Sequence, residues 1–170
     1  LSEIRQEQEK GDALIWGYFG KWAKCRDLTF EEIEENIKNG KPYVLETLNT
    51  LKLTPLNKFV ARSKGGRYWL KRSDKENIKI KYDHYLGKPY DVAFRLDNDI
   101  YYCSELVYDI YKKQLGIELC KPKKIDDYLI LYTEKLPKIN KEMQRRGIKK
   151  EQYAVAPVDV FRSDKLKFVK

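Results

Sequence analysis

Of the side chains in this 170-residue chain that can attack a carbonyl, move a proton or hold a metal, the scarce ones are three cysteines, Cys25, Cys103 and Cys120, and one histidine, His84. Cys103 stands in the stretch NDIYYCSELVYDIYKKQLGIEL (98–119), straight after a tyrosine-rich run. Leu106, Val107 and Ile110 follow it at i+3, i+4 and i+7, one apolar stripe of a helix, so the sulfur is expected to point into the core. At a helix start, unpaired backbone N–H groups and the dipole favour an anion, which can depress a thiol pKa and create a nucleophile. The same placement suits a small buried hydrophobe, which free cysteines often are. The residues by themselves leave both readings open.

Spacing excludes most other chemistry. An odd number of cysteines without paired spacing argues against a disulfide framework. No C-x-x-C, H-x-x-x-H or D-x-D-x-D-G pattern occurs, so neither a structural zinc nor an EF-hand calcium site is expected. SKGGRY (63–68) lacks the Lys-Ser/Thr that completes a phosphate loop and reads as a tight turn. Neither a metal nor an organic cofactor is expected.

Composition sets the frame. Hydrophobic residues make up 42% and charged residues 36%, which fits one globular domain, residues 1–170, with a hydrophobic core. No run approaches the ~18 apolar residues of a membrane span. The polar opening LSEIRQEQEKGD has no signal-peptide pattern. The net charge of +9 favours anionic partners, but the lysines are interspersed with acids and the basic clusters CKPKK (120–124) and RRGIKK (145–150) are short. A solvated lysine surface is the favoured reading over nucleic-acid binding.

The elements that must position Cys103 follow from local pattern. GDALIW (11–16) reads as a short buried strand. LTFEEIEENIKNG (28–40) reads as a helix opened by the Thr29/Glu32 capping box and stopped by Asn39-Gly40. KPYVLETL (41–48) reads as a strand. LTPLNKFVARS (53–63) reads as a short helix with Pro55 in its first turn, and RYWLKR (67–72) as a strand. DKENIKIKYDHYLG (74–87) reads as a helix capped by Gly87. YDVAF (90–94) and DIYYC (99–103) read as strands, or a strand and its lead-in, turned by LDND. The cysteine helix runs from about Ser104 to Leu115 and stops at Gly116, with Lys112 and Lys113 near its negative end. APVDVF (156–161) reads as a one-turn helix or loop and LKFVK (166–170) as a closing strand. Strands and helices mix without βαβ alternation, so the class is α+β.

The run YLGKPYDVAFRLDNDIYYCSELVYDIYKKQLGIEL (85–119) resembles the permuted papain-like amidases, the YiiX/YaeF group within the NlpC-type cysteine peptidase superfamily. The family's pattern is L-G-x-P-Y-D, a short aromatic strand, then Y-C-S-E-L-V and a helix ending in L-G. NGKPYVLETL, LTPLNKFVARSKGGRYWLKR and VAPVDVF extend the likeness over most of residues 39–170 in the family's order. The resemblance implies a circularly permuted papain-like (NlpC-type) fold, an antiparallel sheet or partial barrel packed against helices. It makes Cys103 the candidate nucleophile and Glu46, in YVLETL, the carboxylate that would orient a histidine; a carboxylate beside an imidazole fixes its tautomer. It offers Tyr102 as a cleft-lining residue, although the residue type alone favours a core aromatic.

One family feature is missing. The histidine belongs to an S-H-x-G strand roughly fifteen residues before the glutamate, as triad geometry across strands allows. Counting back from Glu46 reaches Glu31, no histidine occurs between Leu1 and Asn39, and the segment between GDALIW and NGKPYV is short and unlike the family. His84, in KYDHYLGKPYD, reads as a surface or structural residue. The reading that results is a thiol hydrolase of amide or ester bonds in a peptide, lipid or cell-wall substrate, working through an acyl-enzyme. Its rivals are an inactive relative that binds a lipid or peptide in the same cleft and, behind it, a basic nucleic-acid or anionic-surface binder. By analogy with the family, the location is the cell envelope or outside the cell.

Overall fold

A computed structural model describes residues 14–19, 39–74, 80–129 and 136–168. The helix expected over 28–38, and Cys25, lie outside the described residues. The chain forms two compact units.

The first unit is residues 1–46, 52–82 and 164–170. Its sheet has the order β1 (Leu14–Phe19), β4 (Ser63–Arg72), β7 (Lys167–Phe168). β1 and β4 are antiparallel, with Trp16 opposite Trp69, and the register shifts between Gly17 and Phe19. β7 closes the other edge, placing Phe168 opposite Lys71 and Lys167 opposite Arg72. The closing strand expected from LKFVK is thus present over its described residues. SKGG is not a turn: it opens β4, with Ser63 paired to Phe19 and the glycines at the register shift between β1 and β4. Tertiary pairing overrides the local turn signal.

β2 (Tyr43–Thr47) and β3 (Leu51–Pro55) pair as a hairpin, with the turn residues Gly40 just before it at φ +70°. Its tip, residues 47–51, belongs to the second unit. The helix expected from Leu53 starts later, as α1 (Leu56–Ala61), with Pro55 as its N-cap at φ −53°, ψ 134°. Residues 53 and 54 are still strand, and Pro55 ends it because it has no N–H to give the ladder. Leu56 and Phe59 bury the inner face of α1.

The second unit is residues 47–51 and 83–163. The helix expected over 74–87 is absent from its described part: residues 80–82 are irregular and only a 3-10 turn, Asp83–Tyr85, forms. Gly87 does take the left-handed conformation, at φ +77°. The strands expected at 90–94 and 99–103 are also absent, replaced by a single parallel bridge between Tyr90 and Tyr101. α2 (Cys103–Leu115) follows, ending on Gly116 at φ +67° as its sequence predicts. β5 (Lys123–Lys124), α3 (Ile125–Leu129), α4 (Leu136–Arg146), β6 (Tyr153–Ala154) and α5 (Pro157–Phe161) complete the unit. β5 and β6 pair antiparallel, and α2 packs on α5. The class is α+β, helices with small antiparallel sheets and no closed barrel among the described residues.

Candidate active site around Cys103

The start of α2 is fixed by the residues on either side of the cysteine. The Tyr102 hydroxyl accepts the Val155 N–H at 2.8 Å, and the Ser104 hydroxyl donates to the Val155 carbonyl at 2.7 Å. One backbone residue of the VAPVDVF motif is thus clamped on both its polar groups by the Y-C-S motif, and all three residues are buried. Each such bond contributes roughly 1 kcal/mol net, and leaving either buried partner unpaired would cost more. Glu105 accepts the Tyr102 N–H at 3.4 Å, the carboxylate half of a capping box; the Tyr102 hydroxyl is spent on Val155.

Cys103 itself is exposed. The expected inward stripe of Cys103, Leu106, Val107 and Ile110 is therefore corrected. The buried face of α2 is Ser104, Glu105, Leu106, Tyr108, Asp109 and Tyr111, while Val107 and Ile110 are half-buried. Counting only apolar residues misses this face, because its polar members are partnered inside the core. The Tyr85 hydroxyl donates to Asp109 at 2.9 Å, and Lys113 pairs with the same carboxylate at 2.6 Å. Exposure also removes the reading of Cys103 as a small buried hydrophobe. The first intrahelical bond is Leu106 N–H to Tyr102 C=O at 3.0 Å. The N–H groups of residues 103–105 precede it, where a helix start presents donors to an anion.

Tyr90 supplies the neighbour that the sequence did not nominate. Its phenol and the Cys103 thiol interact electrostatically, with no hydrogen bond formed between them. Burial pushes the phenol above its usual range and the thiol pushes it further, so the hydroxyl keeps its proton. The bridge to Tyr101 and the Asp91 N–H to Tyr101 C=O bond at 3.1 Å hold Tyr90 beside the helix start.

The loop after Tyr90 is shaped by Asp91, which is 2% exposed. Its carboxylate accepts the Ala93 N–H at 2.8 Å, the Arg95 N–H at 2.7 Å and the Asn98 side-chain amide at 2.9 Å. Gln152 donates to the carbonyls of Ala93 and Phe94 at 2.7 and 3.0 Å. Held at both ends, Phe94 adopts φ +54°, a conformation that costs a bulky L-residue on the order of 1–2 kcal/mol. Its ring meets Tyr102 edge-on at 5.3 Å and Tyr90 at 6.5 Å, and the Arg146 guanidinium lies over it at 5.9 Å.

The expected site residues are therefore distributed as follows. Cys103 and Tyr102 share the start of α2, but Tyr102 is 3% exposed and belongs to the core, the second of the two readings given for it. Glu46 lies in the other unit and is buried. Its Oε1 accepts the Thr54 hydroxyl and, at 2.5 Å, an Arg62 N–H; its Oε2 is buried and has no hydrogen-bond partner among the described residues. His84 is exposed and stacks on Tyr85 with ring centroids 3.8 Å apart. Among the described residues, no hydrogen bond joins an imidazole to Cys103. Tyr90, Asp91, Phe94 and Arg146 were not singled out in the sequence. Tyr90 and Asp91 stand inside the quoted L-G-x-P-Y-D pattern, whose polar members were the available signal.

The family profile of permuted papain-like amidase enzymes, YaeF/YiiX, matches residues 11–170. An uncharacterized protein, YiiX, of Escherichia coli (strain K12) is 31% identical over 137 residues, 76% of this chain and 67% of that one. The crystal structure of the metalloprotein yiiX from Escherichia coli O157:H7 superposes with a TM-score of 0.63 at 29% identity, covering 78% of this chain and 77% of that one. A glutamate–tRNA ligase of Acetivibrio thermocellus is 40% identical over 45 residues, 26% of this chain and 8% of that enzyme, too small a share to carry an argument. That a structural neighbour is described as a metalloprotein stands against the expectation of no metal partner. In this chain, no three His, Cys, Asp or Glu side chains converge among the described residues. No cluster of candidate ligands therefore includes the Cys103 thiol among the described residues, which do not fit a metal centre there.

Proposed function

Because this chain belongs to the permuted papain-like amidase family, we propose that it is a thiol hydrolase of amide or ester bonds in which Cys103 is the nucleophile. The observation that carries this is an exposed thiol at the first turn of α2. The sulfur attacks the substrate carbonyl carbon, forming a C–S bond and moving an electron pair onto oxygen. The N–H groups at the start of α2 and the Tyr90 hydroxyl stabilise that oxyanion. Collapse of the tetrahedral species expels the amine or alcohol, which takes the proton that the thiol gave up on attack, and water then releases the acid from the thioester and returns a proton to the sulfur. The family resemblance assigns Glu46 the orientation of a base, and its Oε2 has no hydrogen-bond partner among the described residues. The substrate is a peptide, lipid or cell-wall amide or ester.

The test is incubation with an activated acyl ester, followed by mass spectrometry of tryptic peptides. The expected result is one acyl group on the Cys103 peptide and none in a Cys103→Ala variant. Acylation spread over Cys25 and Cys120 as well would end the proposal.

A second reading is favoured by a specific observation: the chain's one histidine is exposed and stacked on Tyr85. Without an imidazole at the thiol, the chain would bind an acyl chain or peptide and hold it without turnover. A stoichiometric burst of acyl-enzyme with no steady-state release identifies this reading; continuous release identifies the hydrolase.

A further inference from the structure

We propose that Glu105 is a positioning residue for Cys103: it acts through the Tyr102 amide at the start of α2, and once it loses its proton it holds the thiol back. The first turn of α2 then carries one negative charge, on the carboxyl or on the sulfur, more readily than two. The proposal rests on Cys103 as the reacting thiol.

Cys103, Ser104 and Glu105 open α2, and the Glu105 side chain folds back over that turn. Its Oε2 accepts the Tyr102 N–H at 3.4 Å, and Tyr102 is joined to Cys103 by the next peptide bond. Two residues apart, the thiol is exposed and the acid is only 3% exposed. The backbone between them is held against rolling the carboxyl out to water. Tyr102 and Ser104 are both tied to Val155, at 2.8 and 2.7 Å.

No cation pairs with this carboxyl among the described residues. Lys113, on the same helix, pairs with Asp109 at 2.6 Å. Asp109 lies one turn beyond Glu105 on the buried face of α2 and also accepts the Tyr85 hydroxyl at 2.9 Å. From the loop before α2, Asp91 acts on Glu105 with its own carboxylate filled by Ala93, Arg95 and Asn98, and the backbone at Asp97 interacts with the acid. Tyr101 and Tyr102 add phenols that burial keeps protonated. On α5, which packs against α2, Asp159 is already bound by Lys123 and Tyr128. A buried carboxyl with one long N–H bond and acids around it keeps its proton. Burial first, against the Tyr102 N–H, and then the Asp91 charge push Glu105 up to about 8. Uncharged, it leaves the free N–H groups and the dipole of the helix start to the sulfur; charged, it competes for them. Two anions that interact in this way titrate as a pair.

The test is the rate of iodoacetamide labelling at Cys103 against pH, on either side of about pH 8, with Cys120 as the control for opening of the fold. The Glu105 carboxyl is followed over the same range by carbon NMR. In the wild type, the Cys103 rate should rise over a wider span of pH than a single proton allows. Glu105→Gln keeps an acceptor for the Tyr102 N–H and cannot ionise. It should give a one-proton curve that meets the wild type at low pH and runs severalfold faster above about pH 8, with the Cys120 rate no faster than in the wild type. A residue that only caps the helix would change the rate alike at every pH. A one-proton curve in the wild type, a broad curve that survives in Glu105→Gln, or a carboxyl that finishes titrating below the span of the thiol overturns the proposal. Should Glu105→Gln not fold, the wild-type curve and the carboxyl titration decide: a broad curve with the carboxyl moving through the same span supports the coupling. If Cys103 labels no faster than Cys120 at any pH, the reading of the thiol itself fails.

Discussion

Cys103 and Cys120 each have a tyrosine that interacts with the thiol, and the two regions use it in opposite ways. At Cys120 the parts are spent on one another. Tyr128 donates to Asp159 at 2.5 Å and Lys123 pairs with the same carboxylate at 2.6 Å. The thiol is half-buried and is pushed up to about 11, by burial first and then by the Asp159 charge. At Cys103 the Tyr90 hydroxyl is bonded to no carboxylate among the described residues, and the thiol is exposed. The same residue types make a structural knot in one place and a reactive corner in the other. What differs is whether the hydrogen-bonding capacity is already consumed.

The acids beneath the two regions sharpen this contrast and give the largest expected effect. Glu105 is 3% exposed and is raised to about 8, chiefly by burial, against the opposing Tyr102 N–H bond. A carboxyl whose folded pKa is raised contributes stability below its unfolded pKa and loses it as pH rises. Stability should therefore decline between about pH 4.5 and 8, by as much as a few kcal/mol at roughly 1.4 kcal/mol per pH unit. Glu105→Gln keeps an acceptor for Tyr102 and cannot ionise, so urea unfolding across that window should be flat. Asp159 behaves oppositely. Burial raises it, but the Lys123 and Tyr128 bonds outweigh burial and hold it low. Its contribution is present above the ordinary carboxylate pKa and fades as pH falls through the folded value, and Asp159→Asn removes that acid-side dependence. A wild-type profile with no decline above pH 4.5 would show Glu105 ionised and break the contrast.

The thiols themselves come next. Only the thiolate reacts, so Cys103 should label with iodoacetamide at pH 8 on the order of a hundredfold faster than Cys120. Asp159→Asn removes an anion beside Cys120 and releases Lys123, which should narrow the gap severalfold. Equal labelling of the two thiols in the unmodified protein would mean that the environments are equivalent, and the comparison would fail.

Why the sequence revealed one half of this site and hid the other follows from how each is built. α2 was legible because its signals are local: a helical repeat, lysines in the last turn and a left-handed Gly116. β2 was legible in the same way, a short run paired with the neighbouring β3. The inward stripe expected on α2 differs from its buried face because Ser104 and Asp109 are buried with partners at residues 155 and 85, which no window along the helix contains. The strands, or strand and lead-in, expected at 90–94 and 99–103 do not form, because the order of the chain between them comes from one carboxylate folding it back on itself. The three residues with positive φ in this stretch, Phe94, Asp97 and Asp99, carry no glycine to announce them. Arg146 was visible only as part of a basic cluster until α4 placed it over Phe94.

The smallest effect isolates the tyrosine hydroxyls. Tyr90→Phe deletes one oxygen and leaves the ring to pack on Phe94, so the fold should survive. If the hydroxyl serves only to fill space, acylation of Cys103 is unchanged. If it donates to the sulfur and then to the oxyanion, acylation slows by roughly tenfold, toward the low end of what a lost oxyanion donor costs. The matching substitution, Tyr128→Phe, removes a hydroxyl bonded to Asp159 and should leave acylation untouched while costing about 1 kcal/mol of stability. The pair therefore separates two roles for one functional group, through a rate measured at one site and an unfolding midpoint measured at the other. A Tyr90→Phe protein that acylates at the wild-type rate, with Tyr128→Phe slowing it instead, would reverse the assignment of the two regions.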